Sequence, residues 1–539
     1  MTGSVAQKQP RYRRQKSQKS RPVPSDSILP ILAAAQIKLH CEYLQEPQLV
    51  FSDKRQCEDP RTGLTAFGPY SKTDVTRRTA IRVGIVGPAE AIDRALTLVK
   101  LMSRPIPQSE KLDAMLHPSF PGINDGEPFQ VEMVTQTVWH RALRPVDVAA
   151  VESHPDFTVR VKLLLDAVIT EIRALKQLDP CPDVVLIAMT ERLEKLCRVG
   201  IGEHDAQAAI DDDEDELADV AEVAAEPDKD SNASISDEAV EANRADGIRS
   251  FRRGLKAKCL DLLPTQLLWH RTLVGSRGVQ DLATRAWNLS VALLYKCGVI
   301  PWRLADVMDG SCFVGISFFH PDGTNNASMR SSVAQAFTDR GEGFVLQGAR
   351  FEWNVENEED RSPHLSREAA RDLLTRVLQT YQEQIQTTPR RVVIHKTSRY
   401  TVEERQGLED ALTGISQYGL VTLARHGTCC LRPGNKPVLR GTAVHFGEKK
   451  GLVFTIGYIP FLRCYPGFRI PQPLEISENW GSLSFYEVAN DLLRLTKLNW
   501  NTAAFSCVDP ITLAFSKRVG EILKMANVEN PALHYRYYM

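Results

Sequence analysis

Two short apolar runs in the first half of the chain predict buried strands. Residues 81–87 are Ile-Arg-Val-Gly-Ile-Val-Gly and lead into a helical pattern at 91–96, and residues 183–189 are Asp-Val-Val-Leu-Ile-Ala-Met ahead of a second helical pattern. Strands that alternate with helices favour a Rossmann-like α/β layer. Gly84 and Gly87 lack the third glycine of a dinucleotide fingerprint and the lysine of a P-loop, so we interpret them as part of a tight strand-to-helix turn.

The second half of the chain repeats this alternation. Residues 312–319 and 343–347 predict strands, residues 369–381 predict a helix, and residues 390–397 predict another strand. Thr401 and Glu404 have the spacing of a capping box, which predicts that a helix begins directly after that strand. We therefore expect a second α/β unit here.

A region rich in turn-forming residues precedes the first apolar run. We interpret residues 28–80 as a linker region of strands and loops. Its Pro and Gly residues, in Asp59-Pro60-Arg61-Thr62-Gly63-Leu64 and at 67–70, predict strands and turns rather than helices.

Composition limits the class of protein. The chain has 539 residues, 43% hydrophobic and 25% charged, which is typical of a soluble globular protein with two or more domains. Its 11 cysteines show neither CxxC pairs nor zinc-ligand spacing. No apolar run is long enough to cross a bilayer and no secretory signal pattern is present, so we expect a cytoplasmic protein with reduced thiols and no membrane partner.

Charge is unevenly distributed, although the formal net charge is only −1. Residues 1–27 form a basic tail that we expect to be disordered, and an acidic insertion at about 203–247, also expected to be disordered, offsets it. The folded parts are thereby free to carry local basic patches. The insertion is either a solubilising loop or a nucleic-acid mimic that shields a basic groove, and its composition favours the loop.

The strongest candidate site follows this insertion. Arg252 and Lys256 lie four residues apart on a predicted helix at 251–258, so both cations project from one face. Gln266 and Lys296 lie on later segments. A terminal phosphate needs several positive and amide donors that converge on one point, because each charge-assisted bond is modest alone. The alternative is an exposed basic helix followed by an unrelated amphipathic helix.

Three segments around Lys296 carry a family resemblance, which is to the end of the MID domain of an Argonaute protein. There, a helix ends in lysine and glycine before the chain enters the PIWI domain. The order of Arg252, Lys256, Gln266 and Lys296 is similar to that of the Argonaute pocket for the 5′ phosphate of a guide strand. The three segments are Val279-Gln280-Asp281-Leu282-Ala283-Thr284-Arg285-Ala286-Trp287-Asn288-Leu289, Leu293-Leu294-Tyr295-Lys296-Cys297-Gly298 and Ile300-Pro301-Trp302-Arg303.

The resemblance implies a domain organisation. It predicts a Rossmann-like MID domain at 81–300 and a ribonuclease H-like PIWI domain at 301–539, both of the α/β class. Long Argonautes also carry N-terminal and PAZ domains, which would need several hundred more residues. The chain therefore resembles the short prokaryotic type, which has MID and PIWI domains only.

The residues at the expected catalytic positions are not acids. The strand at 312–319 carries Ser317 where the resemblance implies the first metal-binding aspartate, and the strand at 390–397 ends in Thr397 at the second position. Near the last position we expect Asn501. Two-metal cleavage of a phosphodiester needs carboxylates that hold two divalent ions about 4 Å apart. The resemblance thus implies a PIWI domain without catalytic residues.

The resemblance also implies partners. The expected ones are a small guide RNA, a target DNA and an APAZ-containing effector protein of the TIR, sirtuin-like or nuclease class, which target binding would activate in antiviral defence. In some relatives the terminal carboxylate reaches the guide pocket through a metal ion, so Met539 and a Mg²⁺ ion are candidates there.

Two other functions stay open from the sequence. The chain is an active guide-directed nuclease if its catalytic acids have been misaligned. It is a structural partner of the effector if the pocket binds no nucleic acid.

Overall fold

The computed structural model of the chain describes residues 39–74, 77–198, 250–276, 279–320, 329–338, 343–353, 362–467, 469–526 and 534–539. The basic tail at 1–27 and the acidic insertion at about 203–247 lie outside the described residues. Within them, two mixed layers of strands and helices and a small three-stranded sheet are present, so the α/β class is confirmed.

The N-terminal segment contains three short strands, β1 (His40–Tyr43), β2 (Leu49–Val50) and β3 (Gln56–Cys57), and a helix, α1 (Pro60–Phe67). The prediction of strands and turns without helices was wrong for α1. The Asp59 side chain accepts a hydrogen bond from the Thr62 amide at 2.7 Å, and proline occupies the first helical turn, where its missing N–H costs nothing. The same Asp-Pro pair that favours a turn thus begins a helix.

Five described strands form a parallel sheet in the first half of the chain. The order is β5-β4-β7-β8, and β6 pairs with the far end of β4. Both predicted strands and the helix after the first are confirmed. The bounds are β4 (Ala80–Gly87), α2 (Ala89–Met102), β5 (Glu132–Val134), β6 (His140–Ala142), α3 (Pro145–Ser153), α4 (Phe157–Lys176), β7 (Val184–Ala188), α5 (Glu191–Cys197), α6 (Phe251–Lys258), β8 (Thr265–Leu268), α7 (His270–Val274) and α8 (Leu282–Lys296).

A strand at the boundary joins the halves, because β9 (Arg303–Leu304) pairs with β2. A nine-stranded sheet then follows in the order β1-β15-β16-β17-β14-β13-β10-β11-β12. The predicted strands and helices of this half are confirmed. The bounds are β10 (Ser311–Phe319), β11 (Met329–Thr338), β12 (Gly343–Glu352), α9 (Arg367–Ile385), β13 (Arg391–Lys396), α10 (Val402–Ala411), β14 (Gln417–Arg425), β15 (Thr442–His445), β16 (Gly451–Val453), β17 (Leu474–Gly481), α11 (Phe485–Leu495) and α12 (Ile511–Met525).

The predicted capping box at Thr401 forms only in part. The Thr401 side chain caps α10 by accepting from the Glu404 amide at 3.2 Å. The Glu404 side chain is fully buried and accepts a hydrogen bond from Lys396 at the end of β13. The Glu404 carboxylate therefore forms a buried ion pair with Lys396 and does not accept from the Thr401 amide, as a full capping box would require.

A buried charge cluster fastens the N-terminal segment to the nine-stranded sheet. The Glu46 carboxylate lies 2.9 Å from Arg440 Nε and 2.8 Å from Lys497 Nζ, and both cations are excluded from solvent. Lys497 also donates to the carbonyl of Glu58 at 2.7 Å. Lys497 is therefore a packed residue of the interior.

None of the helices in the described ranges combines the length and the apolar composition that crossing a membrane requires.

Candidate functional site

The four predicted phosphate-site residues converge on one pocket. Arg252 and Lys256 lie on α6, Gln266 lies on β8, and Lys296 is the last residue of α8. Arg252, Lys256 and Gln266 line a cavity of about 70 Å³, and the Lys296 ammonium donates to Gln266 Oε1 at its edge. Three separate elements of the parallel sheet layer thus bring these side chains together.

The geometry of α6 places two of the pocket cations on one wall. Ser250 caps α6 by accepting from the Arg253 amide at 3.4 Å, and the four-residue spacing then turns Arg252 and Lys256 toward the same wall. The Lys256 ammonium donates to the Thr265 carbonyl of β8 at 2.5 Å. The next lysine, Lys258, faces the opposite way and lies 3.6 Å from Asp166 of α4.

Both pocket lysines are buried, with only 3% of Lys256 and 1% of Lys296 exposed. Burial, followed by the nearby charges of Lys296 and Arg252, lowers the pKa of Lys256. Burial and the charge of Arg252 lower the pKa of Lys296 to about 7. Their hydrogen-bond acceptors, Thr265 O and Gln266 Oε1, are neutral. The pocket therefore holds cations at an energetic cost that an anionic ligand would offset.

Two further arginines and several amides complete the wall. Arg271 lies 3.4 Å from Glu194 of α5, and Arg285 donates to the carbonyls of Thr272 and Gln280. None of the described residues that line the pocket carries a carboxylate side chain. The lining residues besides the four predicted ones are Leu267, Arg271, Thr272, Val279, Gln280, Arg285, Asn288, Leu289, Ala292, Asn501 and Met539.

Met539 lies in this wall as expected from the resemblance, and only 1% of it is exposed. A Mg²⁺ ion held by side chains would need carboxylate or free carbonyl oxygens. The amide oxygens of the wall already accept hydrogen bonds: Asn288 Oδ1 accepts from Thr502 and Ala503, and Gln266 Oε1 accepts from Lys296. The Ala292 side chain has no oxygen that could bind a metal ion. The side chains therefore fit a phosphate and do not fit a Mg²⁺ ion.

Asn501 lies in the pocket wall. The Asn288 side chain of α8 holds the segment after α11, since its Oδ1 accepts from Thr502 Oγ1 at 3.1 Å and from the Ala503 amide at 3.0 Å. The Trp500 ring stacks on Tyr295 with centroids 4.5 Å apart. This segment therefore packs against α8, and the assignment of Asn501 to the last catalytic position stays a prediction.

Ser317 lies on β10, and Thr397 is the residue directly after β13. The strands β10 and β13 are parallel neighbours, and Gly315 pairs with His395. Ser317 Oγ donates to the Ser516 carbonyl of α12 at 2.9 Å. Ser317 thus contacts α12, and the role of both positions stays a prediction.

His395 is a packed core residue. It is fully buried, and its Nδ1 lies 2.7 Å from Thr512 Oγ1 of α12. Burial, followed by the charge of Arg391, lowers the pKa of His395 to about 3. Its ring is neutral across the physiological range and fixes α12 on the sheet.

An acid that was missed from the sequence lies near the end of β14. Asp509 lies two residues before the start of α12 and forms a 2.7 Å ion pair with Arg425 at the end of β14. Among the described residues, no group of three His, Cys, Asp or Glu side chains is placed to hold a metal ion.

Sequence reasoning also missed several pocket residues. Arg285, Asn288 and Ala292 precede Lys296 by eleven, eight and four residues on α8, which is the spacing of one helix face. That signal was available in the sequence. Arg271 and Thr272 lie on the short α7 and Asn501 lies more than 200 residues away, so no local pattern identifies them.

Comparison with known proteins bears on the fold. No protein-family model matches the chain, and no curated protein matches it. Among solved structures, it is similar to Clostridium butyricum Argonaute bound to a guide DNA and a 19-mer target DNA, with 12% identity and a TM-score of 0.58 over 92% of this chain and 55% of that one.

Two other solved structures give the same result. A. aeolicus Argonaute shows 14% identity and a TM-score of 0.52 over 92% of this chain and 55% of that one. Drosophila Piwi shows 12% identity and a TM-score of 0.52 over 93% of this chain and 56% of that one. The chain spans about half the length of the Argonaute structures it matches. Its described residues therefore have an Argonaute-like fold.

Proposed function

We propose that this chain is a guide-directed nucleic-acid-binding protein. Its pocket binds the 5′ phosphate of a small guide RNA, and the guide then recognises a complementary single-stranded DNA by base pairing. The Argonaute-like fold and the solved complex of Clostridium butyricum Argonaute with guide and target DNA support this function. In this proposal, residues 81–300 act as the MID domain and residues 301–539 as the PIWI domain.

The observation that carries the proposal is the pair of buried lysines. Lys256 and Lys296 are almost wholly removed from water and donate only to neutral oxygens. A phosphate monoester supplies up to two negative charges and three acceptor oxygens, so it satisfies both ammonium groups at once.

The proposal includes target binding without cleavage. Serine and threonine at positions 317 and 397 cannot supply the charge that two divalent ions require. Asp509 is a single carboxylate and is already paired with Arg425. The missing charge at these two positions supports a binding role for this domain rather than a catalytic one.

If the chain binds its target without cleaving it, another protein must carry out the response to target binding. We therefore include in the proposal a second polypeptide, an APAZ-containing effector of the TIR, sirtuin-like or nuclease class, which target binding switches from silent to active in defence against plasmids or phage. The resemblance of the sequence to short prokaryotic Argonautes supports this part. Such coupling requires that the effector distinguish the target-bound form from the free form.

The phosphate site is tested by comparing two oligonucleotides that differ only at the 5′ end. The wild-type chain is expected to bind a 5′-phosphorylated RNA more tightly than the same RNA with a 5′ hydroxyl. Changing Lys256 to alanine should reduce that preference by about 10- to 100-fold, because a charge-assisted hydrogen bond contributes about 1.5–3 kcal/mol.

Lys258→Ala is the matched control, since Lys258 lies on the same helix but faces Asp166. It should keep the preference for the 5′ phosphate. Equal affinity of the wild-type chain for both RNAs would contradict the proposed site.

A further inference from the structure

The pocket brings positively charged groups close together. The ammonium groups of Lys256 and Lys296 are bonded to adjacent residues of β8, Thr265 and Gln266. Arg252 lines the cavity and its charge acts on both lysines. Lys256 and Arg252 therefore line a cavity of about 70 Å³, and Lys296 lies at its edge.

Most of the charged side chains on the surrounding described elements are also cationic. Beyond the cluster, α7 contributes Arg271 and α8 contributes Arg285, while the lining residues of β8 are neutral. Glu194 of α5 pairs with Arg271. Met539, whose main chain ends in a carboxylate, also lines the pocket. Two thiols also face the lysines.

These thiols are those of Cys259 after α6 and Cys297 after α8. Burial raises the pKa of Cys259 to about 12 and raises that of Cys297 further, so both thiols stay neutral. They supply no negative charge to the pocket.

An empty pocket of this kind favours a neutral lysine. Burial and the neighbouring cations lower the pKa of Lys296 to about 7, and they lower the pKa of Lys256 as well. A bound phosphate dianion raises the pKa of these lysines again, because a nearby negative charge favours the protonated ammonium form. The free pocket thus holds fewer protons at neutral pH than the occupied pocket.

We propose that the pocket takes up a proton when it binds a phosphate monoester, so that guide loading is coupled to pH. This inference rests on the proposed function and adds to it a regulation of the same site. The proton comes from solvent and is bound by Lys296 or Lys256, and no covalent bond is formed.

The direction of the pH dependence follows from this coupling. Below about pH 7 the free pocket is already protonated, so binding takes up little. Above about pH 7 each binding event must capture a proton, so the affinity falls by up to about tenfold per pH unit for one proton. Lysines with the ordinary pKa of about 10.4 would give a flat profile between about pH 7 and 9.

The test is isothermal titration calorimetry of the full chain with a 5′-phosphorylated RNA and with its 5′-hydroxyl twin. Titrations in buffers with different heats of ionisation, such as Tris and HEPES, give the number of protons taken up. The dissociation constants are measured in parallel between about pH 6.5 and 9. The phosphorylated RNA should show proton uptake and weaker binding as the pH rises, and its twin should show neither.

Lys296→Met removes one titrating group with little change in side-chain length. It should weaken binding near neutral pH and flatten the pH profile, and a thermal melt checks that the variant is folded. If the phosphorylated RNA is preferred but the heats are the same in both buffers and the profile is flat, the proton coupling is wrong while the phosphate site stands. If the two RNAs bind equally at every pH, the phosphate site itself is wrong.

Discussion

Lys256 and Lys258 show how burial decides the role of a side chain. The two residues lie two positions apart on α6 and are the same amino acid. Lys258 is 40% exposed and lies near Asp166, while Lys256 is enclosed with two other cations. Their sequence positions predicted which face each would take, because Lys256 is four residues from Arg252. The depth of burial could not be predicted, since it depends on β8 and α8.

A buried cation that serves a ligand should destabilise the empty protein. Because the pKa of Lys296 is lowered to about 7 in the folded state, the unfolded state binds more protons above that pH, and stability should rise as the pH increases from 7 toward the unfolded pKa of about 10.4. Lys296→Met should therefore raise the free energy of unfolding near neutral pH by about 1 kcal/mol and reduce this rise. Urea unfolding at several pH values measures both effects.

Lys258→Met is the comparison for that experiment, since it alters an exposed lysine of the same pocket helix. It should leave the pH dependence of stability unchanged. A Lys296→Met variant that is less stable than the wild type at neutral pH would show that Lys296 contributes to the fold instead of straining it.

The contact between β10 and α12 is set by a glycine. A Cβ atom at Gly315 would lie 2.2 Å from the Thr512 carbonyl oxygen. Ser317 and His395 hold the same helix through Ser516 and Thr512. The strand that carries the first degenerate position therefore packs directly on the backbone of α12.

Gly315→Ala should push α12 away from the sheet. Insertion of a methyl group against backbone typically costs about 1–3 kcal/mol. The expected result is a lower midpoint of thermal or urea unfolding. Gly427→Ala serves as the control, because a Cβ there meets nothing within 4 Å. Equal stability of the two variants would contradict the close packing.

The elements that were predicted correctly have strong local patterns, as in β4, β10 and α9. The failures occurred where tertiary contacts decide between two local options. Asp59 and Pro60 are compatible with a turn or with the start of a helix, and the helix forms. Glu404 fits a reciprocal cap or an ion pair, and Lys396 takes it. Neither outcome can be read from the local sequence alone.

The cluster of Glu46, Arg440 and Lys497 joins parts of the chain almost 400 residues or more apart. Burial would raise the pKa of Glu46, and the charges and hydrogen bonds of Arg440 and Lys497 outweigh it, so the pKa is lowered. A lowered folded-state pKa gives stability that is present above the unfolded pKa of about 4.3 and is lost on acidification. The cluster therefore fastens the N-terminal segment at neutral pH.

Glu46→Gln should leave two buried cations without a carboxylate and cost about 3–5 kcal/mol. Urea unfolding measures this cost, and limited proteolysis should release the segment before Glu58 earlier than in the wild type. Glu58→Gln is the control, because Glu58 is only partly buried and bonds to the neutral Gln48. Similar losses in both variants would contradict a specific role of the cluster.

The pocket is lined by residues from both halves of the molecule, and this set of residues was only partly predictable. The sequence placed Arg252, Lys256, Gln266 and Lys296 in one site because a family resemblance gave their order. It did not predict that Asn501 lines this pocket, since the contact of Thr502 and Ala503 with Asn288 spans more than 200 residues and leaves no local signal. Ser317 lies on the apolar strand β10 and Thr397 directly follows the apolar strand β13, and both strands could be predicted from the local sequence.

The central claim is that the chain holds a guide by its 5′ phosphate. The most direct measurement is to purify the chain from its native host and to label and sequence the nucleic acid that remains bound. Short 5′-phosphorylated RNAs are predicted with the wild type and with Lys258→Ala, and they should be lost when Lys256 and Lys296 are both changed to alanine. A folded wild-type protein that carries no nucleic acid would contradict the account.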